Sequence, residues 1–508
     1  MDVQEQLKES EVTRTSEELK EFGSVINEVR ARRKPIEDVD TIINSVEALL
    51  RGEQMNTFDR LMSYYVLGQA CNTKKCFTQD PSQAMYNHPL VMKEIFCYRM
   101  TLRIADEVRS KKIWTLYNTV QGCEYQAYVH LGNVYDHLGR HQEALHSYFK
   151  AGLLMPNDYM WRFNIGFSYG GMFGYYEERV QPFVVAKAKE LLMQFLNKPE
   201  TTQSARDMYR RISGLKTPAT LDEKNVEYGT SEEDEYNKWV NENYLRLNGY
   251  NEINPASLYA QDDSLYFDTL YTAKGAENES YRMMSLLNEI KQEYVSARYM
   301  LYSYFKESGR VHFSDKNVQL ADVLDYSNYS YNLELAKAAF RSLYSLLDKI
   351  AFVLNDYLGL GIKGNEVSFK NLWYSDKKNR NVKPEILDCS TVISLAGLLF
   401  IRNDIYGGNE YYLQSEETKN LQKVRNAMEH RAIQIVDDGE LEDKEAVLSI
   451  SRSGFEEVAM NLIITVRQAV FCFVNAVNHI EYDKITDAKK QGVVMEQIVS
   501  NVLDEEKV

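Results

Sequence analysis

The stretch VRNAMEHRA, residues 424–432, places Arg425, Asn426, Glu429 and His430 within six positions of a chain that has only 8 histidines. These residue types together can do phosphate chemistry. An imidazole, with its ordinary pKa of ~6.5, moves a proton at neutral pH. A guanidinium grips phosphate oxygens in pairs and offsets charge that builds in a transition state. RNA brings its own nucleophile, the ribose 2′-OH, so the set suits RNA cleavage without a metal. No carboxylate cluster in the sequence is suited to holding Mg²⁺, and neither metal nor cofactor is expected. Asn426 could orient the imidazole or touch phosphate, and Glu429 could fix Arg425. The plain alternative is a wet helix face carrying an Arg425–Glu429 pair, a few tenths of a kcal/mol in strength.

Helical periodicity over 416–438 decides where these groups point. At about 100° per residue, Leu421, Val424, Met428, Ala432 and Ile435 fall on one apolar stripe facing a core. Arg425 lies on its flank, and His430 points almost opposite it. Ile433 sits near the His430 side, so a two-fold interface along this helix is expected to bury it.

A second feature lies upstream. The loop 361–384 carries Lys370, Lys377, Lys378, Arg380 and Lys383 around Trp373 and Tyr374. Cations interleaved with aromatics suit an RNA backbone and a stacked base. The competing reading is a solubilising loop whose tryptophan packs on the protein.

The elements that must carry these residues read as all-α. Glycine and proline are scarce, which favours long helices. Four further segments of residues 276–508 show helical periodicity: 279–308, 332–359, 389–407 and 455–480. The last is apolar on most sides and is expected to be central. A chain beginning near residue 276 is expected to keep a folded core. Residues 216–275 form a polar, acidic connector broken by Pro218, Gly229, Gly249 and Pro255, expected to pack against one side. Residues 1–55 hold two helices.

Within 56–215, YQAYVHLGNVYDHLGRHQEALHSYFKAGLLMPN (125–157) resembles a tetratricopeptide repeat, with Tyr128, Leu131, Gly132, Tyr135, Ala144, Tyr148, Ala151 and Pro156 at that motif's spacings. Gly132 and Ala144 allow two antiparallel helices to approach closely. Neighbouring degenerate repeats are expected at 58–71 with 90–108, and after residue 160. Such an array offers a concave surface for a protein or small-molecule ligand.

The formal charge of -15 argues against sequence-blind binding of long DNA but leaves room for a local basic patch. The N-terminus does not read as a signal peptide, and VISLAGLLFI (392–401) is too short to span a bilayer. The expected setting is the cytoplasm, without membrane.

The C-terminal region resembles the HEPN superfamily of helical domains, many of them ribonucleases. The signature is an arginine, a polar residue, a short spacer and a histidine, matched by Arg425-Asn426-Ala427-Met428-Glu429-His430, before a long apolar helix. The resemblance implies a metal-independent endoribonuclease leaving a 2′,3′-cyclic phosphate. It also implies a homodimer that brings two such helices to one cleft, and a regulated role as a toxin or antiviral effector. It equally accommodates a non-catalytic nucleotide- or RNA-binding module, or a protein-interaction module scaffolded by the repeats.

Overall fold

The computed structural model describes residues 14–52, 55–77, 89–111, 117–196, 203–218, 224–268, 270, 277–307, 309–321, 327–376, 381–389, 392–407, 416–437, 439, 441–443, 446–490 and 507. The fold is predominantly helical. The first half holds α1 (Arg14–Arg30), α2 (Glu37–Arg51), α3 (Thr57–Cys76), α4 (Pro89–Ser110), α5 (Tyr117–His137), α6 (His141–Leu154), α7 (Met160–Met172), α8 (Gln181–Met193) and α9 (Gln203–Ser213). The second half holds α10 (Glu232–Glu242), α11 (Glu277–Lys306), α12 (Tyr331–Tyr357), the short α13 (Pro384–Leu387), α14 (Ile393–Tyr406), α15 (Glu416–His430) and α16 (Arg452–Lys490).

Neighbouring helices of the first half pack in pairs: α3 on α4, α5 on α6, α7 on α8. Small residues set the spacing. A Cβ at Gly132 would collide with the Tyr148 ring, and one at Gly68 would come within 2.8 Å of the Tyr98 ring. The same glycine-on-tyrosine contact therefore recurs in two successive hairpins, as stacked helical repeats require.

The second half is organised around α16. Leu462, Ile463, Val466, Ala469, Val470, Phe473 and Val477 are all buried, and α14 and α12 pack against this helix. Helix α16 contains a stretch, Arg452–Thr486, long and apolar enough by composition to cross a membrane, but 72% of its apolar window is buried inside the protein. Ser330 caps α12, its Oγ accepting from the Leu333 amide at 3.2 Å.

Two expectations are corrected. First, the helix expected over 416–438 ends at His430. The chain then enters β1 (Ala432–Val436), part of a small sheet with β2 (Glu442–Asp443) and β3 (Val447–Ser451), ordered β1-β3-β2. Strands β1 and β3 run parallel, Ala432 opposite Val447 and Ile435 opposite Ile450. Ile435, Leu448 and Ile450 are buried, so Ile-x-Ile and Leu-x-Ile alternation, a period of two, wins over helical spacing. Ala432 is exposed, and the stripe that α15 buries is Leu421, Val424, Ala427 and Met428. Second, the connector packs against both halves. Val240, Leu245, Leu247, Leu265 and Phe267 belong to the C-terminal core. Tyr250 and Ala260 belong to the repeat core.

Charge locks the halves together. The Arg99 guanidinium donates to both Asp404 oxygens at 2.8 Å, and Arg140 donates to Asp404 Oδ2 at 2.7 Å. Burial alone would raise the Asp404 carboxyl, but the two arginines bring it down to about 2. Gly139, at φ +71°, lies against the Ser394 backbone, where any side chain would clash.

Candidate functional site

Arg425 and His430 sit on the last turns of α15, which α14 and α16 hold in place. His430 is exposed and makes no hydrogen bond or ion pair among the described residues, which matches its outward direction on the helical wheel. Arg425 is half-buried. Its guanidinium carbon lies 5.3 Å from the Tyr344 ring centroid, and Nη1 donates to Asn426 Oδ1 at 3.2 Å. The remaining guanidinium nitrogens make no hydrogen bond or ion pair among the described residues, and the Asp348 carboxyl lies within electrostatic reach. Asn426 thus engages Arg425 rather than His430. Glu429 is exposed and does not pair with Arg425, so the expected carboxylate fixing this arginine is replaced by a tyrosine ring.

Tyr344 does not act alone. The Tyr406 ring meets it edge-on, centroids 6.4 Å apart. Lys370 Nζ lies 5.9 Å from the Tyr406 centroid, and the Arg402 guanidinium carbon lies 5.9 Å from the same ring and 5.1 Å from that of Tyr374. Three cations thus share one aromatic cluster contributed by α12, the 361–384 loop, α14 and α15. Asp348, one turn beyond Tyr344, accepts from the Phe369 amide at 2.8 Å. Burial raises its carboxyl, against the pull of Phe369 N–H and Arg425. Burial likewise pushes the Tyr344 phenol up to about 12 and the Tyr406 phenol up as well, so these two tyrosines stay neutral at physiological pH.

The loop expected to bind RNA divides into three parts. Trp373 is fully buried, edge-on to Phe369, with Nε1 donating to Phe369 O at 2.9 Å. It cannot stack on a base; it is a core anchor, because burying an indole is favourable only when its N–H finds an acceptor. Tyr374 is half-buried and its hydroxyl bonds Asn403 Oδ1 at 3.2 Å. Lys383 is half-buried at the start of α13, while Lys370 is exposed beside Tyr406. Lys377, Lys378 and Arg380 lie outside the described residues.

Sequence reasoning missed Tyr344, Asp348, Arg402 and Tyr406. One signal was available: Arg402 and Asp404 interrupt the end of an otherwise apolar helix, and buried charge inside apolar sequence marks either a bridge or a site. Here Asp404 is the bridge and Arg402 belongs to the cluster.

Residues 275–480 match the family model described as LA2681-like HEPN, and the C-terminal region of this chain is a HEPN domain of that kind. No curated protein and no solved structure matches the chain significantly.

Proposed function

We propose that the HEPN domain is a metal-independent endoribonuclease and that the repeat region targets or regulates it. The family points to nucleotide- or RNA-directed activity at the coarse level. The observation that carries the finer reading is the contrast on α15. Arg425 is oriented by Tyr344 and Asn426, while His430 stands at the helix end, exposed and with no hydrogen bond or ion pair among the described residues. The guanidinium holds the scissile phosphate. The imidazole takes the 2′-OH proton as the oxygen attacks phosphorus, the P–O5′ bond breaks, and the product carries a 2′,3′-cyclic phosphate. Lys370 extends the cationic surface toward the neighbouring phosphate.

One histidine cannot serve as base and as acid toward the leaving 5′-oxygen in the same step, so the reading includes a homodimer that supplies two imidazoles. Ile433 no longer marks that interface, because it lies on β1 and packs against the core. A better surface is the segment beside β1. Asn328 N donates to Ile435 O at 2.7 Å, and upstream of it Val311, Phe313, Val318 and Leu320 are all exposed. A toxin or antiviral role fits a regulated nuclease of this kind.

The test is incubation of purified protein with structured RNA in EDTA. Cleavage by the wild type and its loss in His430→Ala support the proposal; equal cleavage by both, after removal of contaminating nuclease, rejects it. The binding-module reading draws on the packing of Arg425 against Tyr344. It predicts RNA retention without cleavage in the same assay.

A further inference from the structure

A groove of about 500 Å³ opens where α4, α5 and α6 face the connector and the middle of α16. That volume lies within the range of small-molecule sites, and its walls come from both halves of the chain.

Its charges do not cancel. Asp106, Glu143 and Glu252 each pair with an arginine, Arg109, Arg140 and Arg467 respectively. Arg99 is taken by Asp404. Arg103 and Lys150 remain, both exposed, and neither makes an ion pair among the described residues. Lys150 Nζ sits 5.7 Å from the Tyr128 ring centroid.

The deeper wall offers the opposite chemistry. Gln142 and Glu252 are both at least nine-tenths buried, and each keeps one carbonyl or carboxylate oxygen with no hydrogen-bond partner. Leaving such acceptors unpaired is costly. Between rim and wall lie His146 and Tyr244, rings edge-on at 6.3 Å. His146 is exposed, so its ring is open to a ligand in the groove. Tyr244 is a non-glycine residue at φ +54°, a backbone strain of the kind that collects at binding sites.

We infer that this groove is a binding site for a nucleoside phosphate. The phosphate is held by Arg103 and Lys150, the base lies among Tyr128, His146 and Tyr244, and base N–H groups reach the acceptors of Gln142 and Glu252. Gln142, His146 and Lys150 follow one another at spacings of four along α6, so an acceptor, a ring and a cation share one face of that helix in the groove wall, a row that suits such a molecule. Occupancy bridges the repeats and α16, and so stabilises their contact.

Thermal unfolding of the full chain tests this without reference to RNA cleavage. Millimolar ATP, GTP or AMP is expected to raise the melting temperature by several degrees, and adenosine or tripolyphosphate to do much less. The rise should persist in Arg425→Ala and weaken at least about tenfold in nucleotide concentration in Arg103→Ala/Lys150→Ala. Ile464→Trp, which fills the groove from α16, should abolish it while leaving the nucleotide-free melt cooperative. Four results would each overturn the inference: no rise with any nucleotide, an equal rise with tripolyphosphate, loss of the rise in Arg425→Ala, or a rise with an acidic peptide alone.

Discussion

His430 and Arg425 are held very differently, and their substitutions should fail differently. His430→Ala removes an exposed side chain that makes no hydrogen bond or ion pair among the described residues. Folding should be untouched and cleavage should fall by ~10²–10⁴-fold, the usual worth of a proton-transfer group. Tyr344→Leu leaves both motif residues in place but removes the ring under Arg425. A cation–π contact of about 0.5–2 kcal/mol translates to a loss of roughly two- to thirtyfold in cleavage rate. An unchanged rate would show that the ring does not position the guanidinium. Trp373→Ala should destabilise by about 3–5 kcal/mol in denaturant titration, because it empties a fully buried site. A loss of RNA affinity at full stability would instead restore the stacking role that burial removes. His130 carries a pH dependence. It stacks on Tyr98 at 5.2 Å, and burial, with Arg30 and Lys75 nearby, pushes its pKa down to about 3. The unfolded chain protonates this histidine below ~6.5 while the folded one does not. Stability is therefore full above that pH and falls as pH drops toward 3. At pH 5 the loss is about 2 kcal/mol relative to neutrality. The measurement is the denaturant midpoint at pH 7 and pH 5, and His130→Gln should reduce the difference by the His130 share, with His137 and His146 still contributing.

At the scale of elements, the turn from α15 into β1 sets where the candidate site ends. His430 is the last helical residue, and two residues later the chain is paired to β3. That pairing, together with the Asn328–Ile435 bond, ties the helix end to the segment preceding α12. Ile435→Asp puts a carboxylate into a buried position of β1. It should cost several kcal/mol and detach the sheet, and cleavage should fall although no motif residue has changed. Retention of full activity in a protein with a lowered melting temperature would show that the sheet is not needed to place His430.

At the scale of the whole molecule, the connector and the Asp404 bridge make the two halves interdependent. Arg298 donates to both Asp263 oxygens, at 2.8 and 2.7 Å, and to Leu245 O at 2.9 Å. A chain beginning at residue 276 loses Asp263 and the connector's apolar residues, and leaves a buried arginine unpaired, which costs ~3–5 kcal/mol. It should therefore unfold without cooperativity. This outcome differs from the expectation, drawn from helical periodicity, that such a chain keeps a folded core, and a sharp thermal transition from it would support that expectation instead. Asp404→Ala should likewise strand Arg99, while Arg140 keeps only Glu143 on its own helix, loosening the halves in limited proteolysis. For assembly, light scattering at micromolar concentration should find a dimer, with Phe313→Glu/Val318→Glu shifting it to monomer and lowering cleavage. An active, strictly monomeric wild type would rule out the shared site.

The residue order alone determined the features written in local periodicity. The long helices, the glycine-on-tyrosine contact at Gly132 and Tyr148, the central apolar α16 and the outward direction of His430 all follow from spacings of three and four. Those spacings repeat whatever the chain packs against. The tertiary structure alone decided three things. Ala432–Val436 is a strand because its partner, Val447–Ser451, lies across a connection that no local window contains. Trp373 faces the core and not a base, because a loop's direction depends on what it closes over. Arg425 rests on Tyr344, Tyr406 stands beside it, and Lys370 completes the cluster. These residues are separated by up to 81 positions, and only the folded backbone brings them together.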